Sequence, residues 1–230
     1  MQDTTHSPEV MPIISQAPQG YRIEIFTQRD LLKQPFLSEL REVINASYRN
    51  PGVILYDKVG TRLKTDTQLA EELKETGFTA VAFALTQNTI IGTASVKAWD
   101  AYSEGKMWKP PGHFEQFSAE EIFSGSSAVL HSLDESASAP CEGEFELAAV
   151  AIKPDPLYRK KGIVDGLIKA CEEELKRRTG LSQLRVSLKV VREVMGGYWL
   201  KKGFRIIAEQ YCPPLIWGFE KGFVLWAMER

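Results

Sequence analysis

The sequence predicts a mixed α/β fold on three observations. A strand-then-helix opening begins at Tyr21, two strand-like runs meet at Gln87-Asn88, and a near-continuous apolar run at 144–152 leads through prolines into an amphipathic helix. With 230 residues, 43% apolar and 25% charged, the chain can bury one substantial core, so a single domain over 20–230 is expected. Its 28 basic and 30 acidic residues leave a formal charge of −2, which gives no overall field toward nucleic acid or an anionic membrane. Any anion site must be local.

Residues 1–19 mix Ser, Thr, Gln and Pro without periodicity and are expected to form a disordered tail. YRIEIF (21–26) alternates like a half-buried strand. From Asp30 or Gln34-Pro35 an amphipathic stretch places Phe36, Leu37, Leu40, Val43 and Ile44 on one helical face. Leu69 and Leu73 amid Glu and Lys suggest a second helix, with Gly77 as its C-terminal cap. FTAVAFALT and TIIGTASVKAW then read as a hairpin, which argues against an all-parallel phosphate-binding sheet.

Residues 100–142 break the rhythm and read as an insertion. Trp99, Tyr102, Trp108, Phe114 and Phe117 suit its first half to packing over something, whereas Ser124–Ala139, rich in Ser, Ala and Gly, reads as loose. After EFELAAVAI come a helix over 162–178, the strand LRVSLKVV, the helix REVMGGYWLKK and the strands FRIIAE and FVLWAME. The order is β-α-α-β-β-(insertion)-β-α-β-α-β-β.

Cys141, Cys171 and Cys212 are odd in number and widely spaced, with no metal-ligand rhythm among the three histidines, so no metal is expected. Cys171 falls on the inward face of its helix. A reduced compartment fits, no apolar run is long enough to span a bilayer, and no leader pattern opens the chain; a cytoplasmic or nuclear protein is expected.

The sharpest local feature is Ile152-Lys153-Pro154-Asp155-Pro156-Leu157-Tyr158-Arg159-Lys160-Lys161-Gly162, where a buried strand turns into a helix. The first helical turn has backbone N–H groups without intrahelical acceptors, and the helix dipole favours an anion there. Arg159, Lys160 and Lys161 add attraction at the rim, and Gly162 lets a phosphate approach the backbone. Taken alone, the pattern equally suits a solvated basic helix start.

The segment ELAAVAIKPDPLYRKKGIVDGLI resembles the signature of the GNAT superfamily, with Arg159, Gly162 and Val164 at the motif's positions and Val164 standing where Gly or Ala is usual. YWLKKGFRII is similar to the family's Phe-Tyr-x-x-x-Gly-Phe element through Tyr198, Trp199, Gly203 and Phe204. The resemblance implies a largely antiparallel central sheet with one splayed parallel strand pair and helices on both faces. It also implies acetyl-CoA as co-substrate, with its diphosphate on Arg159, Lys160, Lys161, Gly162, Ile163 and Val164. The coenzyme's amides would pair with the main chain of Val150, Ala151 and Ile152, as in strand addition by a peptide.

Acyl transfer to an amine needs a neutral nucleophile and a proton for the leaving thiolate. The resemblance implies Glu146 as base, and desolvation between Phe145 and Leu147 would bring it toward useful basicity; the bland alternative is a strand-end carboxylate paired with a lysine. The family's acid, a tyrosine, is replaced by Trp199, leaving Tyr198 as the candidate or core packing as its role. Arg192 stands near the place of a usual asparagine and is a candidate for a coenzyme phosphate. His113 is an alternative base, though a lone loop histidine is more often a bystander. The expectation is an N-acetyltransferase acting on a small-molecule or peptide amine in a ternary complex, as monomer or homodimer; the alternative is a catalytically degenerate acyl-CoA sensor or interaction module.

Overall fold

The structure is a computed structural model that describes residues 20–49, 61–99, 108–134, 145–216 and 219–230. The expected tail at 1–19, Tyr102, Cys141 and the remaining stretches lie outside the described residues. The elements, in order, are β1 (Tyr21–Thr27), α1 (Gln28–Leu31), α2 (Leu37–Tyr48), α3 (Gln68–Leu73), β2 (Phe78–Ala84), β3 (Ile90–Ala98), α4 (Ala119–Ser124) and α5 (Ser127–His131). They continue with β4 (Phe145–Ile152), α6 (Ile163–Thr179), β5 (Val186–Val191), α7 (Gly197–Lys201), β6 (Arg205–Cys212) and β7 (Phe223–Glu229).

The seven strands form one sheet in the order β1-β2-β3-β4-β5-β7-β6. Every pairing is antiparallel except β4 with β5. Strand alternation sorts the side chains to two faces. On one face, Ala80, Ala94, Leu147 and Leu188 pack under Leu167, Ile168, Cys171 and Leu175 of α6, with Trp199 and Phe204 alongside. Full burial of a Leu or Ile side chain stabilises by roughly 1.5–3 kcal/mol, so this stripe outweighs the cost of two unfavourable features, Gly166 within α6 and its uncapped start. On the other face, Leu40, Val43 and Ile44 of α2 and Leu69, Ala70 and Leu73 of α3 cover Val81, Phe83 and Ala151.

Three local readings are corrected by the structure. Of the two starts expected for the first amphipathic stretch, Gln34-Pro35 agrees with α2, which begins at Leu37 and buries Leu40, Val43 and Ile44, whereas Asp30 lies inside the separate α1, capped by Thr27 Oγ1 accepting from the Asp30 amide at 3.2 Å. α3 ends at Leu73 with Lys74, at φ +54°, in the C-cap position; Gly77 stands three residues further on, where its amide still donates to the Leu73 carbonyl at 3.0 Å and a Cβ would lie 2.3 Å from that oxygen, so the residue is small to let the chain fold back. REVMGGYWLKK is one π turn (Arg192–Gly196) followed by the short α7.

The insertion is more ordered at 118–134 than its Ser- and Gly-rich composition suggested. Ser118 closes a capping box with Glu121, Ser126 caps α5, and Gly125 ends α4 at φ +64°, so the small residues are helix punctuation. Trp108, Phe114, Ile122 and Val129 are buried against β6 and β7. Lys109 exchanges both main-chain hydrogen bonds with Glu209, at 2.7 and 2.9 Å, which covers the outer edge of the end strand β6. Glu209 is fully buried and its carboxylate accepts from the Phe114 amide at 3.1 Å and from Trp226 Nε1 at 2.9 Å.

Candidate functional site

β4 and β5 are paired only through Phe145↔Val186 and Glu146↔Ser187 among the described residues, and beyond that point they part. On its other side β4 stays bonded to β3, with one extra residue between the pairs Thr93↔Ala151 and Ser95↔Ala148. Ala149, in that bulge, takes φ +46°, a conformation that costs a non-glycine residue about 1–3 kcal/mol and bends the strand. The Lys153 amide donates to the Ile91 carbonyl of the β3 side at 2.9 Å. Ile152, one residue earlier, therefore faces the opposite edge, where its amide donates to Ser47 Oγ of α2 at 3.3 Å. The edge of β4 that carries Val150 and Ile152 has no strand partner among the described residues.

That edge ends at the basic turn. Asp155 Oδ1 accepts from the Leu157 amide at 2.9 Å and fixes a 3₁₀ turn, Pro156–Tyr158, whose Tyr158 is buried. Gly162 precedes α6 at φ +72° with no side-chain cap. A Cβ on Gly162 would meet nothing within 4 Å, so no side chain among the described residues fills the turn. The first intrahelical bond runs from the Gly166 amide to the Gly162 carbonyl at 2.9 Å, leaving the amides of Ile163, Val164 and Asp165 without a helical acceptor. Arg159, Lys160 and Lys161 are exposed and make no ion pair among the described residues. Val164 turns its branched side chain toward the core under α6, away from the rim. Asp165 would oppose an anion at this helix start, but Lys202 Nζ pairs with its carboxylate at 2.5 Å. A pocket of about 270 Å³ lined by Tyr21, Ile91, Leu157, Tyr158, Lys161 and Ile163 lies on the β1 flank of the turn and shares Lys161 and Ile163 with the helix start.

Glu146 sits at the last β4–β5 pair, 6% exposed. Phe145 and Leu147 do not enclose it: as strand neighbours they pack on the α6 side, and Glu146 faces away from them. Its carboxylate lies between two lysines instead, 3.7 Å from Lys97 Nζ of β3 and 3.5 Å from Lys189 Nζ of β5. Lys189 Nζ stands 5.0 Å from the centre of the Trp99 ring, and Ser187 beside it is fully buried. Tyr48, at the end of α2, belongs to the same electrostatic neighbourhood; burial pushes its phenol up, while Arg62 pulls it down. Arg62 is held by Glu72 through bonds of 2.7 and 2.5 Å.

Tyr198 packs half-buried on the α6 side, edge-on to Trp199 at 5.3 Å. Burial pushes its phenol up and Lys202, 5.5 Å from its ring centre, acts the other way. Trp199 is 7% exposed and packs edge-on against Phe204 at 5.2 Å. Glu146 and Tyr198 thus belong to opposite faces of the sheet, on either side of the parting of β4 from β5. Arg192 is engaged by its neighbour Glu193 at 2.7 Å rather than offered to a phosphate. His113 lies in the insertion against β6, three strands from β4, with its Nε2 buried and without a hydrogen bond among the described residues. Cys171 is buried beneath α6, its thiol 3.6 Å from the Ala94 carbonyl. Lys97, Lys189, Ser47 and Tyr48 were not singled out by the sequence, although a lysine inside each of the apolar runs TASVKA and VSLKVV was the signal available.

No family model matches the chain, and no curated protein matches it. Among solved structures it is similar to the acetyltransferase of GNAT family from Streptococcus pneumoniae, at 15% identity and a TM-score of 0.50, covering 92% of this chain and 99% of that one. The chain has the GNAT fold. Two further structures share that fold with it. One is yncA from Salmonella typhimurium, solved with its cofactor acetyl-CoA, at 15% identity and a TM-score of 0.50 over 92% of this chain and 93% of that one. The other is smu.2055 from Streptococcus mutans, at 12% identity and a TM-score of 0.50 over 90% and 97%. In GNAT-fold terms, the forked parallel pair is β4–β5, the turn at 153–162 joins the central strand to its helix, and the insertion expected at 100–142 falls in the connection from β3 to β4. Among the described residues no helix is long and apolar enough to cross a membrane, and no group of His, Cys, Asp and Glu is gathered to hold a metal ion.

Proposed function

We propose that this protein is an N-acyltransferase that moves an acetyl or short acyl group from acetyl-CoA to a primary amine by direct attack in a ternary complex. The observation that carries the reading is the continuity of two features among the described residues: an edge of β4 at Val150–Ile152 with no strand partner, and after it an uncapped helix start at Gly162 with three cations that make no ion pair. The residues present fit a diphosphate followed by an amide-bearing arm, since backbone donors and Arg159, Lys160 and Lys161 suit the first and a free strand edge suits the second.

In this reading Gly162, Ile163 and Val164 bind the diphosphate through their amides, and the main chain of Val150 and Ile152 orients the arm, whereas Ala151, expected to join them, is paired with Thr93 of β3. The thioester carbonyl then lies at the fork. Glu146 takes the proton from the incoming amine, which approaches from the α2 face, and Tyr198, from the α6 face, is the donor to the departing sulfur. The C–N bond forms as the C–S bond breaks, and no covalent enzyme intermediate is required. The unit is a single domain over 20–230 that works as a monomer or homodimer in the cytoplasm or nucleus, takes a small-molecule or peptide amine, and needs neither metal, nucleic acid nor membrane.

A second reading, a catalytically degenerate acyl-CoA sensor or interaction module, is favoured by Trp199 filling the place of the family's tyrosine. Calorimetry with acetyl-CoA, followed by thiol release across a panel of amines, separates the two. An enzyme binds at sub-millimolar concentration and releases thiol with at least one acceptor. A sensor binds and releases none, and a chain that binds no acetyl-CoA removes both readings.

A further inference from the structure

We propose that Lys189 is itself an acyl acceptor: the chain acylates its own Lys189 ε-amine, with Glu146 receiving the proton. The inference rests on the fork being the acyl-CoA site. A coenzyme with its diphosphate at Gly162 and its arm along Ile152–Val150 runs toward the point where β4 and β5 rejoin, so its thioester is delivered just beyond the pair Glu146↔Ser187. Lys189 lies two residues past Ser187 on the other wall of the fork, about 7 Å along the strand and on the same face as Glu146.

Its Nζ is 3.5 Å from Glu146 Oε2, an oxygen that is buried and accepts no hydrogen bond among the described residues. The Lys189 side chain is only 16% exposed. Lys97, the other cation at Glu146, comes from β3, on the side of β4 away from the fork. Of the two amines, Lys189 is the one on the path of the thioester.

The step balances without a further reagent. The Lys189 ammonium passes one proton to Glu146 Oε2, and the neutral Nζ attacks the thioester carbonyl carbon. The N–C bond forms, the C–S bond breaks, and the departing thiolate takes the second proton from nitrogen to leave as a free thiol. Glu146 returns its proton to solvent. The product is a neutral amide, so one of the two cations beside Glu146 is removed, and the carboxylate is released toward an amine entering from the α2 face.

The test incubates the full chain with acetyl-CoA and maps acetyl groups by peptide mass spectrometry over time, with coenzyme binding measured on the same sample by calorimetry. Lys169, whose side chain is 77% exposed, reports ordinary chemical acetylation. Lys189 is expected to acquire its acetyl group ahead of Lys169 by more than about tenfold, because a positioned amine gains far more than that in effective concentration. K189R removes the adduct, and E146Q slows it while circular dichroism shows the fold retained. Binding of acetyl-CoA with acetylation led by Lys169 and other exposed lysines overturns the proposal and leaves the fork assignment standing. Absence of binding overturns both.

Discussion

The Ser47 hydroxyl accepts from the Ile152 amide at 3.3 Å, on the edge of β4 that β5 has already left. A helix side chain thereby occupies a main-chain donor that the coenzyme arm is proposed to use. Binding must exchange one hydrogen bond for another, and a net bond contributes about 0.5–1.5 kcal/mol. Ser47→Ala is therefore expected to lower the acetyl-CoA Kd by up to about tenfold while costing the free protein about 1 kcal/mol, since Ile152 loses its acceptor. Calorimetry paired with urea unfolding checks both signs; weaker binding in the variant would show that the hydroxyl assists the ligand.

Gly162→Ala separates folding from binding. At φ +72° an alanine costs about 1–2 kcal/mol, and its methyl group meets nothing within 4 Å, so the fold is expected to survive. The same methyl stands where a phosphate would approach the first amides of α6, and acetyl-CoA affinity is expected to fall by more than about tenfold. Near-normal affinity in a folded variant would move the diphosphate elsewhere.

Gly196→Ala tests how rigidly the far side of the fork is built. A Cβ at Gly196 would lie 2.5 Å from the Trp226 ring, and that ring is anchored through Nε1 to the buried Glu209. The ring cannot withdraw without breaking this bond, so overpacking of about 1–3 kcal/mol is expected. Trp226→Phe, which removes the anchor, should make the second substitution less costly than it is alone, a coupling that a double-mutant cycle in urea measures.

Glu174 supplies a pH-dependent contribution. Its carboxyl is held down to about 2, from an ordinary 4.5, first by the Arg177 hydrogen bonds; burial opposes this, and the Arg178 hydrogen bond and the charges of both arginines outweigh that opposition. The unfolded chain takes up this proton at higher pH than the folded one, so the stabilisation is complete above 4.5 and is lost as pH falls toward 2. Glu174→Gln is expected to lower the urea midpoint at pH 7, and its difference from the parent protein is expected to shrink progressively as pH falls from 4.5 toward 2. A difference that persists unchanged at pH 3 would assign the effect to packing.

The order of strands and long helices was legible because each rests on local chemistry. Alternation in YRIEIF, the Gln87-Asn88 turn with Asn88 at φ +54°, and the apolar β4 run all follow from neighbours in sequence. The basic turn was legible for the same reason, since Arg159 to Gly162 are contiguous. What the sequence hid depends on which residues the sheet brings across from other strands. Glu146 was read against Phe145 and Leu147, but strand geometry sends those two to the other face and pairs it with Lys97 and Lys189, 49 positions before and 43 after it. The link from Ser47 to Ile152 spans 105 positions and is a product of the fold alone. The insertion's small residues gave a misleading impression of looseness because a serine that caps a helix and a serine in a flexible linker are the same in composition.

The central claim is that the free edge of β4 and the start of α6 together receive acetyl-CoA, and amide chemical-shift mapping in a ¹⁵N-labelled sample tests it residue by residue. Titration with acetyl-CoA is predicted to shift Val150, Ile152, Gly162, Ile163 and Val164 most, with the amides of β1 little changed. Saturable shifts centred instead on the pocket between Tyr21 and Leu157, or none at any of these five amides, would contradict the account.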